Sequence, residues 1–196
     1  MRREYYDEHL RDTIINRAEI KRGTIVLDVG VGTGFLALGA ARAVGKTGKV
    51  IGVDLSEAML NKAKENLSKR GLANRVEFRI GDAENVPLED DSVDVVIGNM
   101  ILHHCPDPQR AIREMTRVLK PGGKLVVSDL EEHHEAWLKA EMADLWLGFN
   151  LEKIHEMFIQ ANLKNVRVEL ARTKCCGVSI AGKKVAIGIF VVEGQK

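Results

Sequence analysis

The sequence predicts an α/β fold in which a mainly parallel sheet carries helices on both faces. Three observations support this prediction. Short apolar runs alternate with segments of helical periodicity, as expected when the strands are buried on both faces. Glycines or a carboxylate follow several of these runs, where the chain must turn towards a helix. The last two apolar runs, at 166–170 and 184–192, indicate a closing hairpin.

Composition indicates one ordinary globular domain. The 196 residues are 45% hydrophobic and 29% charged, which is ample for a single buried core and short for two. The net charge of +1 gives no general electrostatic case for a nucleic-acid partner. We expect no signal peptide and no membrane span, and three cysteines do not form a secreted disulfide framework. A cytoplasmic location is therefore expected.

A glycine-rich turn, with Gly30, Gly32 and Gly34, follows the first buried strand and precedes a helix. This arrangement brings backbone N–H groups and a helix N-terminus towards a ligand, and a side chain at Gly30 or Gly32 is expected to occupy the ligand's space. A dinucleotide fingerprint would require its third glycine at Phe35. Instead, Asp28 lies two residues before the first glycine, where it would repel a pyrophosphate and attract an ammonium group.

The pattern Asp-x-Gly-x-Gly-x-Gly from Asp28 to Gly34 resembles motif I of the class I S-adenosylmethionine (SAM)-dependent methyltransferases. In that family the loop wraps the amino-acid end of SAM. The resemblance implies a Rossmann-like, seven-stranded sheet in the order 3-2-1-4-5-7-6, with strand 7 antiparallel. It also implies one domain over 1–196, with an N-terminal helix at 1–22, a SAM-binding core at 23–130, and acceptor-side helices and a closing hairpin at 131–196.

Carboxylates end the second and third predicted strands. Asp54 lies about 20 residues past the glycines, where it would accept both ribose hydroxyls of an adenosine. The alternative, that Asp54 caps the next helix, is better met by Ser56. Leu55 would cover one face of the adenine. The resemblance implies that Asp82 takes the adenine amino group and that the backbone N–H of Ala83 meets a ring nitrogen.

The loop after strand four, from Asn99 to Pro108, flanks the SAM methyl group in this family, and Asn99 is expected to bind the cofactor. It lacks the Asn/Asp-Pro-Pro-Tyr signature of amino-group methylation. Leu102-His103-His104 followed by Pro-Asp-Pro resembles the ubiquinone/menaquinone-biosynthesis and small-molecule branch. His103 and His104 are candidates for a general base near the methyl group, and loop packing is the open alternative.

The segment after strand five resembles the methyltransferase domain found fused to ArsR-like DNA-binding domains. Residues 133–149 are expected to form part of a lid, with His133 as a catalytic candidate facing the acceptor. Trp137 and Trp146 are interpreted as pocket walls or packing. No metal site is predicted, because His133 and His134 are neighbours that cannot share a helix face and no Cys or His spacing fits zinc.

Two further expectations concern the N-terminus and the thiols. Tyr5 and Tyr6 are possible lid residues on the N-terminal helix. Cys105 follows strand four and the pair Cys175-Cys176 follows strand six, so their sulfurs could lie at one edge of the sheet. Arsenite methyltransferases of this fold hold As(III) on several thiolates, but their cysteines do not match these positions. Structural cysteines are the alternative.

Taken together, the sequence predicts an enzyme that transfers a methyl group from SAM to a small-molecule acceptor and yields S-adenosylhomocysteine. Arsenite or thiol methylation is one alternative, and a non-catalytic SAM-binding sensor or accessory protein is the other. The expected partner is a small molecule rather than a nucleic acid or a membrane, and the chain is expected to be a monomer or homodimer.

Overall fold

The computed structural model describes residues 7–196. They contain one seven-stranded sheet with the strand order β3-β2-β1-β4-β5-β7-β6. The strands are β1 Ile25–Val29, β2 Lys49–Asp54, β3 Val76–Ile80, β4 Val93–Asn99, β5 Leu119–Leu130, β6 Lys164–Val178 and β7 Lys184–Gln195. The helices are α1 Glu8–Arg17, α2 Phe35–Ala43, α3 Glu57–Ser68, α4 Pro108–Val118, α5 Trp137–Met142 and α6 Leu151–Gln160, with short 3-10 segments at Ala73–Arg75 and Leu102–His104. Strand β7 runs antiparallel to both β5 and β6, and the other paired strands are parallel. The predicted strand order is confirmed.

The sheet separates two apolar layers. Leu27 and Val29 of β1 face a layer that includes α4 and α6, while Val26 faces the layer that includes α1, α2 and α3. This alternation follows from the two-residue period of a strand, and burial on both sides explains why β1 is apolar throughout except at Asp28. Helices therefore cover both faces, as predicted.

Strand β1 pairs with β2 on one side and with β4 on the other, so the strand order reverses between β1 and β4. In open α/β sheets a ligand crevice lies outside the carboxyl ends of the strands at such a reversal. Helix starts near this edge are well defined: the Ser56 side chain caps α3 and the Asp107 side chain caps α4, which has Pro108 in its first turn.

Several element boundaries differ from the prediction. The N-terminal helix expected at 1–22 spans only Glu8–Arg17 among the described residues, and Tyr5 and Tyr6 lie outside them. Strand β6 is 15 residues long rather than five, because it continues to pair with β7 as far as Val178. The prediction that Cys175 and Cys176 follow strand six is therefore wrong, since both lie within β6. No helix in the described part of the chain is long and apolar enough to cross a membrane.

Candidate functional site

A cavity of about 600 Å³ opens at the carboxyl ends of β1, β2 and β4 and beside the end of β3, and its size is typical of small-molecule sites. It is lined by the glycine loop, by the residues that follow these strands and by the first residues of α2 and α3. The predicted cofactor residues that line it are Asp28, Gly30, Gly32, Asp54, Leu55, Asp82, Ala83 and Asn99. The strand ends that the sequence indicated therefore meet at one cavity. Gly34, also a predicted cofactor residue, is not part of the lining.

The three glycines of the loop meet different surroundings. A Cβ at Gly32, where φ is +51°, would have only the Gly30 carbonyl oxygen within 4 Å, at 3.9 Å, so the cavity side is open. A Cβ at Gly30 would lie 2.6 Å from the Ile101 side chain rather than in the ligand space that we expected. A Cβ at Gly34 would meet Leu67 of α3 at 2.7 Å, so this glycine lets α2 pack closely on α3.

Asp28 is a buried carboxylate at the floor of the cavity. Its side chain is almost fully enclosed, and its Oδ2 has no hydrogen-bond partner among the described residues. Burial raises the pKa of Asp28 well above its usual value, and the charge of Asp54 adds to the rise although the backbone N–H of Ala37 opposes it. A buried carboxylate oxygen without a partner is costly, so a ligand that brings a cation to this oxygen would be favoured.

Asp54 fastens the glycine loop to the start of α3. Its Oδ2 accepts a hydrogen bond from the Gly32 N–H at 2.8 Å, and its Oδ1 accepts one from the Ser56 N–H at 2.9 Å. The helix cap itself is Ser56, whose Oγ accepts from the Met59 N–H. Since a carboxylate has about four lone-pair sites, both Asp54 oxygens retain the capacity to accept hydroxyl groups. The neighbouring Leu55 is 70% exposed and lies along the same opening.

The third strand end contributes Asp82 and Ala83. Asp82 Oδ1 accepts a hydrogen bond from the Glu84 N–H at 2.9 Å, which fixes the turn after β3. Ala83 is buried, and both residues face the cavity. On the opposite wall, Asn99 at the end of β4 accepts a hydrogen bond through Oδ1 from Ser128 Oγ at 2.8 Å. These contacts orient polar groups at separate strand ends around one space.

Asp129, at the end of β5, anchors the loop that follows β4, and the sequence prediction missed this role. Its Oδ2 accepts from the backbone N–H groups of Leu102 at 2.8 Å and His103 at 3.3 Å. Its Oδ1 accepts from the Leu130 N–H at 2.7 Å and lies 2.5 Å from His103 Nδ1. His103 is buried and does not line the cavity, so it packs the loop against β5. The available signal was a carboxylate at a strand end, as at Asp54.

His104 is the catalytic candidate that lines the cavity. Burial lowers the pKa of His104 below its usual value, and the neighbouring His103 adds to this effect, while the Ala143 carbonyl and the charges of Asp144 and Asp129 oppose it. His104 Nδ1 lies 3.2 Å from the Ala143 carbonyl oxygen. With the Nδ1 proton donated to that carbonyl, Nε2 carries the lone pair of a neutral imidazole, which is the form that accepts a proton.

The segment after β5 packs beside the cavity without lining it. Of the described residues, none after Pro106 is part of the lining, so His133, Trp137 and Trp146 all lie outside it. Trp146 donates from Nε1 to the Cys105 carbonyl at 2.9 Å, and Trp137 donates to Glu135. The backbone N–H groups of Leu145 and Trp146 donate to the His103 carbonyl. The two tryptophans therefore take the packing role that was left open in the sequence.

Cys105 and Cys175 lie on opposite sides of the sheet and do not share a thiolate site. Cys105 belongs to the apolar layer with α4 and α6, whereas Cys175 belongs to the layer on the other side of the sheet. Cys105 lines the cavity, but burial raises the pKa of its thiol to about 12, and the charges of Glu84 and nearby aspartates act in the same direction. A protonated thiol is a poor ligand for As(III). This arrangement counts against arsenite capture by Cys105 together with Cys175.

Comparison with known proteins decides the family. The sequence profile of a family described as a methyltransferase domain matches residues 20–172. This chain belongs to that methyltransferase family. It is 37% identical over 207 residues to a demethylmenaquinone methyltransferase of Desulfitobacterium hafniense, an alignment that covers 97% of this chain and 80% of the relative. It is 44% identical over 113 residues to an arsenite methyltransferase of Halobacterium salinarum, covering 58% of this chain but only 29% of the relative.

The fold comparison agrees. A SAM-dependent methyltransferase of Aquifex aeolicus superposes with a TM-score of 0.69 at 25% sequence identity, over 94% of this methyltransferase and 88% of that chain. The predicted class I SAM-dependent methyltransferase family, the Rossmann-like fold and SAM as the cofactor are confirmed. The unpartnered Asp28 oxygen, the open side of Gly32 and the two accepting oxygens of Asp54 suit such a cofactor.

Proposed function

We propose that this methyltransferase transfers a methyl group from SAM to a small, mainly apolar acceptor and releases S-adenosylhomocysteine. The observation that carries the proposal is that three separate carboxylates, Asp28, Asp54 and Asp82, face one cavity at the point where the strand order reverses. Bound there, SAM would supply an electrophilic methyl group whose positive sulfonium charge disappears on transfer. The protein's contribution is then to hold the nucleophile close and in line.

The roles of the cofactor-binding residues follow from their chemistry. Asp28 would hold the ammonium group through its unpartnered oxygen, with the Gly30–Gly34 loop around the amino-acid end. Asp54 would accept the ribose hydroxyls. Leu55 would cover an adenine face, and Asp82 and the backbone of Ala83 would meet the adenine edge.

The acceptor that we favour is a ring carrying an ionisable hydroxyl group, as in a reduced quinone. The wall beside Asn99 is formed by the side chains of Met100, Ile101, Cys105 and Pro106 with one imidazole, that of His104. An apolar wall suits a ring, and a neutral imidazole there would accept the hydroxyl proton as the ring carbon attacks the methyl group. The alignment with the demethylmenaquinone methyltransferase over nearly the whole chain supports the same acceptor class.

We propose a cytoplasmic protein that acts as a monomer or homodimer without a nucleic-acid partner. The near-neutral net charge supports the last point, and the low number of cysteines, two of them adjacent, supports a reducing compartment.

The test is incubation of the protein and isotopically labelled SAM with hydroquinones, small amines and thiols, followed by mass spectrometry of the products. We expect ring methylation of a hydroquinone, and a loss of about 10²–10⁴-fold in kcat for His104→Gln with SAM affinity retained. His155→Gln is the matched control, because His155 is exposed on α6. SAM binding by calorimetry without methylation of any acceptor class would favour the sensor alternative and refute the proposal.

A further inference from the structure

We propose that His103, His104 and Asp144 form a binding site for a divalent transition-metal ion beside the cavity. One potential ligand atom from each of the three residues lies within 4.8 Å of the others. The residues come from two segments about 40 positions apart. The prediction of no metal site considered only ligands that are close together in sequence. The site is separate from the residues proposed to hold SAM but shares His104 with the proposed reaction. With Nδ1 bound to an ion, the neutral imidazole carries its proton on Nε2, so the metal-bound form would not use His104 as the base.

The buried carboxylate of Asp144 is the first support. Its Oδ1 has no hydrogen-bond partner among the described residues, and its side chain is only 3% exposed. It lies 3.7 Å from His103 Nε2 and 4.0 Å from His104 Nδ1, too far for a hydrogen bond to either. A buried carboxylate oxygen without a partner is costly, and an ion between the three groups would provide a positive partner.

The distances suit one shared ion. Nitrogen and oxygen ligands lie about 2.0–2.2 Å from a zinc ion, so two of them on one ion are at most about 4.4 Å apart. The separations of Asp144 Oδ1 from His103 Nε2 and His104 Nδ1 fall within this limit, whereas the three atoms together spread over up to 4.8 Å, so the side chains would have to close slightly on the ion. His104 would exchange its 3.2 Å contact with the Ala143 carbonyl for the ion.

The second support is the orientation of His103 by Asp129. With Asp129 Oδ1 accepting the Nδ1 proton at 2.5 Å, the Nε2 lone pair of His103 is directed to the side where Asp144 lies. A carboxylate that fixes the tautomer of a histidine in this way is the usual outer partner of a metal-ligating imidazole. Asp129 itself is fully buried and holds the loop backbone as well, so the imidazole is fixed in place.

The turn at Ala143 positions Asp144 beside the two histidines. Ala143 ends α5 with a φ of +58°, a left-handed conformation that is unfavourable for alanine and turns the chain towards the loop after β4. Directly after Asp144, the N–H groups of Leu145 and Trp146 both donate to the His103 carbonyl. The strained residue and the two hydrogen bonds therefore hold the carboxylate against the two histidines.

His133 adds a neighbouring imidazole to this cluster. Its Nε2 is buried and, like Asp144 Oδ1, has no hydrogen-bond partner among the described residues. Neutral imidazoles and a carboxylate form a ligand set that suits Zn²⁺, Fe²⁺, Co²⁺ or Ni²⁺ rather than Ca²⁺ or Mg²⁺.

The experiment is titration of the metal-free full-length protein with Co²⁺, followed by visible absorption and calorimetry. We expect one ion per chain, with ligand-field bands of nitrogen and oxygen ligands and without thiolate charge-transfer absorption. Asp144→Asn should abolish the bands, and Asp129→Asn should weaken binding by about 10–100-fold, as is usual for outer partners. Glu156→Gln is the matched control, because Glu156 is exposed on α6.

Three results would overturn the proposal: no stoichiometric Co²⁺ binding by the wild-type protein, charge-transfer bands that indicate cysteine ligands, or equal affinity in the Asp144→Asn and Glu156→Gln variants. Circular dichroism would establish that each variant is folded. If Asp144→Asn does not fold, imidazole proton shifts of the wild-type protein on Zn²⁺ addition decide the question, and unchanged His103 and His104 signals refute the site. These titrations contain neither SAM nor an acceptor, so their failure leaves the proposed methyl transfer unaffected.

Discussion

Replacing Asp28 with asparagine should weaken SAM binding and also remove its dependence on pH. In the free protein, burial keeps the pKa of Asp28 well above its usual value, and the charge of Asp54 adds to the rise. An ammonium group at that oxygen would favour the carboxylate and lower this pKa. SAM binding to the wild-type protein should therefore release a proton, and affinity should rise as the pH rises through the free-protein pKa of Asp28.

The magnitude follows from the lost contact. A hydrogen bond to a charged group contributes about 1.5–3 kcal/mol, so Asp28→Asn should weaken SAM by roughly 10- to 100-fold. The stability of the free protein should depend on pH in the opposite direction to its affinity for SAM. Because the folded state holds the Asp28 proton more tightly than the unfolded chain does, wild-type stability falls as the pH rises above the unfolded pKa. Asparagine does not ionise, so the stability of the Asp28→Asn variant should not fall in this way as the pH rises.

Calorimetry in buffers of different ionisation enthalpy measures the released proton, and urea unfolding at pH 6 and pH 8 measures stability. Glu89→Gln is the control, because this carboxylate is exposed and remote from the cavity lining. The reasoning is refuted if Asp28→Asn binds SAM as tightly as the wild-type protein does. It is equally refuted if the wild-type binding enthalpy is independent of the buffer.

Three further substitutions, one of them with Gly71→Ala as its control, test the site and its surroundings. Asp54→Ala should weaken SAM by about 2 kcal/mol or more in calorimetry, since charge-assisted hydrogen bonds are lost, and an unchanged affinity would contradict the ribose role. Gly34→Ala should lower the free energy of unfolding more than its control, Gly71→Ala. Both substitutions place a side chain at a residue with positive φ, which costs about 1–2 kcal/mol. Only the new Cβ at Gly34 would also clash with Leu67, which costs a further amount of about 1–3 kcal/mol. Equal losses in urea unfolding would show that the contact with α3 is unimportant. Trp146→Phe should cost about 1 kcal/mol of stability and change acceptor kinetics with SAM affinity retained, because only the bond to the Cys105 carbonyl is lost. A parallel loss of SAM affinity would count against this assignment.

The sheet and most of the cavity were predictable because they depend on local patterns. An apolar run followed by a strand-end carboxylate and a helix fixes each parallel unit, and the carboxyl ends of such strands meet at one edge. Asp28, Asp54 and Asp82 therefore converged as predicted. Strand order beyond β4 came from the family resemblance, since nothing local determines it.

The remaining features depend on contacts distant in sequence. Strand β6 has a mostly exposed, charged surface, so its length is set by pairing with β7 rather than by any apolar pattern of its own. The separate roles of His103 and His104 could not be read from two identical adjacent residues, because only Asp129 distinguishes them. Asp144 carries no signal in sequence, since the turn at Ala143 brings it to the histidines.

Asp129 accepts four hydrogen bonds, and these should restrict the movement of the cavity wall beside Asn99. Loops beside ligand cavities usually open locally at little cost in free energy. Here, releasing the Leu102 and His103 amides would remove two of the four donors from a fully buried carboxylate, so these amides should exchange with deuterium as slowly as those of the central strands. A change of acceptor would then arise by exchanging the side chains at the wall, such as Met100 and Pro106, on a backbone that stays fixed.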